Sequence, residues 1–171
     1  MRLTRTLLAL ASAAVMAAAA TPAYAVERAR ADVQDRFGQS AGTVRLTQGP
    51  YGVLLRAEFW NLSTGHHAFH VHAVGRCTPP FRSAGGHYNP RGLHHGFLDA
   101  DGVHAGDMPN IHVPASGSLE VEIFLPDVSL DASLFDSDGS SLVVHEGPDD
   151  YHSEPAGGAG PRIACGVIAP E

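Results

Sequence analysis

Lysine is absent: all 11 basic residues are Arg, set against 18 Asp plus Glu for a formal charge of −7. A chain without a basic footprint does not read as a nucleic-acid binder. Cysteine numbers only two, which excludes a Cys-rich zinc finger. Past residue 25 no apolar run approaches the roughly 20 residues needed to span a bilayer. No window there carries a convincing 3.6-residue apolar stripe, and there is no internal repeat or linker. What remains is a 171-residue chain, 44% hydrophobic and 17% charged, a balance that suits one globular domain. The residue in excess is histidine, with 11 copies, which points toward metal chemistry.

Residues 1–25 read as a cleaved signal peptide. Arg2 and Arg5 give a positive start, Leu7 to Ala20 is apolar and Ala-rich, and Ala23-Tyr24-Ala25 is a small-x-small cleavage site. The expected mature domain is 26–171, exported to the periplasm or beyond, and free of the membrane after cleavage. In such an oxidising space Cys77 and Cys165 are expected to pair. A bridge closing a loop of roughly 90 residues contributes about 4–5 kcal/mol on the chain-entropy account.

Within the mature chain, Val26 to Ser40 is charged and reads as a poorly ordered lead-in. Strand-like alternation follows at Thr43–Gln48 and at Tyr51–Leu62, where Val53, Leu55, Ala57 and Phe59 share one side. Further strands are expected at His67–Val74, Ser118–Leu125, Ser141–His145 and Ile163–Ile168. The 19 Gly and 12 Pro punctuate them as turn residues. Short strands so separated predict an all-β antiparallel barrel or sandwich. Two long stretches, Thr78–Pro114 and Glu146–Arg162, read as functional loops.

The histidines fall into groups. His70 and His72 flank Val71 in a strand, so both imidazoles project from one face while Val71 turns to the core. His87, His94, His95, His104 and Asp107 crowd the first long loop, an imidazole-and-carboxylate set that suits Zn²⁺. His145 ends an apolar strand; joined to His70 and His72 it would make an imidazole-rich site of the kind copper favours.

Five segments occur in one order: Phe69-His-Val-His72, Ser83-Ala-Gly-Gly-His-Tyr-Asn-Pro90, His104-Ala-Gly-Asp107-Met-Pro-Asn110, Leu142-Val-Val-His-Glu-Gly-Pro-Asp-Asp-Tyr151 and Gly160-Pro-Arg-Ile-Ala-Cys-Gly-Val-Ile168. Together they resemble Cu/Zn superoxide dismutase of the exported bacterial type, over roughly residues 43 to 168. The resemblance implies a Greek-key β-barrel or sandwich of about eight strands. It implies copper held by His70, His72, His87 and His145, and zinc held by His87, His95, His104 and Asp107, with His87 as a bridging imidazolate. His95 rather than His94 is implied because the family places this ligand eight residues after the bridging His and before a Gly, here Gly96. Asp149 is implied to tie His70 to His95, Cys77 to bond Cys165, and Arg162 to guide a small anion to copper.

The implied activity is dismutation of superoxide, with His87 and Arg162 as the catalytic side chains. An exported copper/zinc-binding protein without turnover is the alternative. A zinc hydrolase is disfavoured, since no HExxH pattern occurs and four ligands would close the zinc site. Monomer and homodimer are both open. Two departures from the family pattern stand out: Ala68 where a Gly is usual, and His152 where a Lys is common. His67 is expected to hydrogen-bond structurally near the copper strand; His66 and His112 are given no role.

Overall fold

The computed structural model describes residues 26–171; the expected signal peptide lies outside them. Nine strands form: β1 Arg28–Asp35, β2 Ser40–Gly49, β3 Gly52–Phe59, β4 Gly65–His67, β5 Phe69–His72, β6 Ile111–Val113, β7 Leu119–Leu125, β8 Ser140–His145 and β9 Arg162–Pro170. Seven make one sheet in the order β5-β8-β9-β1-β2-β3-β7, antiparallel throughout, and β4 pairs with β6 in a separate ribbon. The non-sequential neighbours β3–β7 and β5–β8 require long returns, the mark of a Greek key. Among the described residues no helix is long and apolar enough to cross a membrane.

Alternation decides which side chains enter the core. Val53, Leu55, Ala57 and Phe59 of β3 are buried, as expected, and lie beside Leu125, Ile123, Val121 and Leu119 of β7 in register. Phe69, Val71, Leu142 and Val144 of β5 and β8 join the same core. Phe59 and Phe69 meet edge to face, ring centroids 5.3 Å apart, which ties the two ends of the curled sheet together.

Three expectations need correction. The lead-in is not poorly ordered: β1 sits in the middle of the sheet between β9 and β2. Its inward residues are Ala29, Ala31 and Val33, and its outward ones include Arg30 and Asp32. Small alanines between charges carry a weak hydropathy signal, so the alternation does not register in the sequence. The stretch His67–Val74 is broken at Ala68, where the chain leaves the ribbon and joins β8. The Ala68 N–H donates to Gly147 O (2.8 Å) and its carbonyl accepts from His145 N (2.9 Å). The first long loop also contains β6 and a short 3₁₀ turn, Arg82–Ala84. β6 is only three residues long, too short for periodicity to register.

Candidate metal centre

β5 is buried on both faces, which is why His70 and His72 lie without solvent while Val71 fills the core. His145 ends β8 at an irregularity in its pairing with β9, and this turns its ring toward the two β5 histidines. His87 comes from the loop and forms a single bridge to His72. One nitrogen from each of His70, His72, His87 and His145 lies within 4.8 Å of the others. A second buried set, His87, His95, His104 and Asp107, meets the same condition. His87 belongs to both.

The ring atoms sort themselves. His72 Nδ1 lies 3.1 Å from Gly85 O, and His145 Nδ1 lies 3.2 Å from Gly160 O, so their Nε2 atoms face inward, 3.5 Å apart. His70 Nε2 is bound to Asp149 Oδ2 at 2.8 Å, which leaves Nδ1 pointing inward. On the other side, Asp107 Oδ1 lies 2.6 Å from His87 Nδ1 and 3.1 Å from His95 Nδ1. His104 Nδ1 sits 3.3 Å from His87 Nδ1.

Two buried side-chain atoms among the described residues have no hydrogen-bond partner: His70 Nδ1 and His87 Nε2. Buried polar atoms are paired in native proteins, so each needs an explanation. Both face the first set, with the His70 and His87 ring centroids 4.1 Å apart. Nitrogen lone pairs that converge without a proton between them fit a cation, and an all-imidazole set fits copper. The second set, three imidazoles and one carboxylate, has the donor types of a closed zinc site.

Electrostatics agrees. Burial pushes His87 down to about 4 and His145 to about 3, with the neighbouring His70 adding to both shifts. Burial and the nearby His87 likewise lower His72. At neutral pH these rings are uncharged, the form a metal needs. His95 behaves oppositely: burial lowers it, but the bonds to Asp107 and Asp149 outweigh burial and raise it to about 10. Burial would raise Asp107 and Asp149, yet their histidine bonds hold both well below the usual carboxylate range. Two buried carboxylates therefore demand a cation, and a proton on His95 or a zinc ion can supply it.

Asp149 lies between the two sets, with Oδ2 on His70 Nε2 at 2.8 Å and Oδ1 on His95 Nε2 at 3.0 Å. It is itself held by partners the sequence did not reveal. Asn110 exchanges two bonds with its backbone (2.8 and 2.9 Å), and the Tyr151 N–H donates to Oδ1 (2.6 Å). Glu154 accepts the His95 N–H at 2.6 Å. Asn110 and Tyr151 close two of the quoted segments, which was the only available signal. Gly157 packs against Asp149 so closely that a Cβ there would occupy the position of Oδ1. Gly96, at φ +99°, lies against the Tyr151 carbonyl and donates its N–H to Asp107 Oδ2. That requirement explains the glycine after His95.

Cys77 and Cys165 are bonded, with Cα atoms 5.6 Å apart and a sequence separation of 88. The bridge packs with Phe81, Ala84 and Val143 and fixes the 77–85 segment against β8 and β9. Arg162 donates to the carbonyls of Phe81 and Gly85, each at 2.6 Å. Gly85 O is also the carbonyl bonded to His72, so Arg162 is held one acceptor away from the first set. His67 bonds the His145 carbonyl at 2.8 Å, the structural part expected of it. His94 is exposed and outside both sets. With Ala68 at the strand break, His70 and His72 both belong to the first set.

Fold and site together define an antiparallel β-domain with two adjacent buried sets of side chains that could hold metal ions and that share one histidine. The family profile of copper/zinc superoxide dismutase (SODC) matches residues 40–168. Superoxide dismutase [Cu-Zn] 1 of Aquifex aeolicus is 47% identical over 147 residues, 82% of this chain and 87% of that protein. Superoxide dismutase [Cu-Zn] of Caulobacter vibrioides is also 47% identical, over 82% and 84% of the two chains. The solved Cu/Zn superoxide dismutase from Brucella abortus superposes with a TM-score of 0.71 at 32% identity, covering 84% of this chain and all of that one. A SOD-like protein from Bacillus subtilis gives 0.77 at 36%, covering 81% and 96%. The chain belongs to the copper/zinc superoxide dismutase family.

Proposed function

We propose that this chain dismutes superoxide, with copper at His70, His72, His87 and His145 and zinc at His87, His95, His104 and Asp107. Family membership alone reaches chains named only as superoxide dismutase-like, so the ligand set has to carry the reading. The single observation that carries it is His87: Nδ1 faces the carboxylate-bearing set, while the buried, unpartnered Nε2 faces the all-imidazole set.

When bound, copper supplies a one-electron couple that accepts an electron from one superoxide and returns it to the next, and zinc supplies a fixed positive charge. The rest is work for the chain. A neutral imidazole has one lone pair, so His87 must lose both ring protons to serve both ions. Its Nε2 can then take up a proton and release it to the product. Two superoxide anions and two protons give one O₂ and one H₂O₂, and Nε2 is the natural store for one of those protons. Asp107 Oδ1, 2.6 Å from His87 Nδ1, would hold the zinc together with that nitrogen once the proton between them is lost. Asp149 fixes the tautomers of His70 and His95.

Arg162 is the anion guide. Two of its five donors are taken by carbonyls, and the others are free for a small anion. Burial and the nearby Arg82 lower its pKa, but a guanidinium stays charged at any working pH. Arg36, Arg82 and Arg162 line one recess of about 400 Å³. None of the three has a carboxylate partner among the described residues, whereas Arg30, Arg45, Arg56 and Arg91 each do. A local positive region thus sits on a chain of formal charge −7. The Cys77–Cys165 bond supports export to an oxidising compartment.

The test is a dismutation assay on protein carrying one copper and one zinc per chain, beside His87→Ala. The wild type should turn over, and the variant should lose roughly 10²–10⁴ in rate. Full metal content without turnover would instead favour a metal-binding protein.

A further inference from the structure

The zinc set takes His95 and leaves its neighbour His94 on the surface. We propose that His94, Asp99 and Asp101, with His152 beside them, form a third metal site that takes a borderline divalent cation such as Zn²⁺.

One ligand atom from each of His94, Asp99 and Asp101 lies within 4.8 Å of the other two. His94 Nδ1 stands 3.6 Å from Asp99 Oδ1, too far for a hydrogen bond. That spacing is close to the ligand–ligand edge of a tetrahedral zinc site, about 3.3 Å for bonds of about 2.0–2.1 Å. Asp99 is the hinge of the arrangement. Its other oxygen, Oδ2, lies 4.0 Å from the Nδ1 of His152, whose ring stands outside the set. Its side chain is only 18% exposed, so it is partly desolvated before any cation arrives.

The ligands sit on a braced turn. His94 N–H donates to Asp101 O (3.1 Å), Gly102 N–H to Asp99 O (3.3 Å) and Asp99 N–H to Gly96 O (3.3 Å). His152 comes from the facing loop, which is fastened to the turn by Leu98 N–H on Tyr151 O (3.0 Å). Little ordering is left to be done on binding. Two carboxylates offset the charge of one divalent ion, and the His94 imidazole favours zinc-like metals over Ca²⁺ and Mg²⁺.

The site is distinct from the inner pair. His94 and His152 are 58% and 68% exposed, against complete burial for His95, so the outer ion should bind more weakly and exchange faster.

The experiment starts with protein already holding one copper and one zinc per chain, verified by metal analysis, and dialyses it against radiolabelled Zn²⁺. A third, exchangeable equivalent is expected. His94→Gln and Asp101→Asn should each weaken it by at least about tenfold, and His152→Gln should change it far less. Inner metal content and dismutase rate should match wild type in all three. Absence of a third equivalent overturns the proposal. So does a third equivalent that survives the His94→Gln/Asp101→Asn double variant, or one abolished instead by His66→Gln in the exposed His66–His112 pair. Because inner loading is measured separately, its failure would count against the dismutase reading and not against this one.

Discussion

Asp149 is the side chain on which the two metal sets depend jointly, and its removal gives the sharpest test. Its carboxylate accepts from His70 Nε2, His95 Nε2 and Tyr151 N, at 2.8, 3.0 and 2.6 Å, and is buried. Asp149→Ala leaves two buried ring N–H groups and one backbone N–H without acceptors. Each such group costs about 1–3 kcal/mol, and part of that is recovered if water enters the space. A loss of about 3–5 kcal/mol in the stability of the chelated protein follows, in line with breaking a buried charged pair. Asp149→Asn separates packing from charge. The amide has the right volume but only one acceptor oxygen, so its NH₂ must oppose either His70 or His95. One ring is then driven to the wrong tautomer, and its metal-facing nitrogen carries a proton. Metal affinity at that set should fall about 10–100-fold, while the fold suffers less than in the Ala variant. Chelator competition for each metal, alongside thermal unfolding of the chelated protein, reads both effects. If Asp149→Asn keeps wild-type affinity for both metals, the claim that this carboxylate sets the two tautomers is wrong.

Further outcomes are expected. The chelated protein should lose stability on acidification: His87 and His145 have folded pKa values of about 4 and 3, below the unfolded value of 6.5, so their contribution is intact above 6.5 and lost as pH falls toward 4 and 3. Melting temperatures that stay flat from pH 7 to about pH 4 would contradict this. Reducing Cys77–Cys165, or changing both to Ser, should cost up to about 4–5 kcal/mol for a loop of this length. Denaturant titration with and without reductant measures that cost, and the rate should fall too because the Phe81 and Gly85 carbonyls no longer fix Arg162. The second-order rate constant should drop as salt is added, since steering by the Arg36, Arg82 and Arg162 region is screened over about 10 Å at 0.1 M; Arg162→Ala should be slower and less salt-sensitive. A rate that rises with salt would show that net charge governs the encounter instead.

Local chemistry alone marked much of this protein. Alternation placed Val53 to Phe59 and Val71 inward, because a strand's side chains obey a period of two wherever they lie. The resemblance implied His95 over His94, through the family's spacing and following glycine; in the structure His95 lies in the buried set and His94 on the surface. The five ordered segments carried the family resemblance, since each holds its ligands on a short, recognisable stretch. The tertiary structure decided the rest. β1 is a strand because its alanines find β2 and β9 on either side, and nothing in eight residues of alternating Ala and charge shows those neighbours. Which nitrogen of each imidazole faces a metal depends on partners far along the chain: Asp149 lies 79 residues from His70 and 54 from His95. Asn110, Tyr151 and Glu154 became visible as supports only when two loops met, as did the outer cluster of His94, Asp99 and Asp101 with His152 beside it. Residue types and order name the ligands; the orientation of a ring is set by whatever long-range contact occupies its other nitrogen, and only the folded chain fixes that.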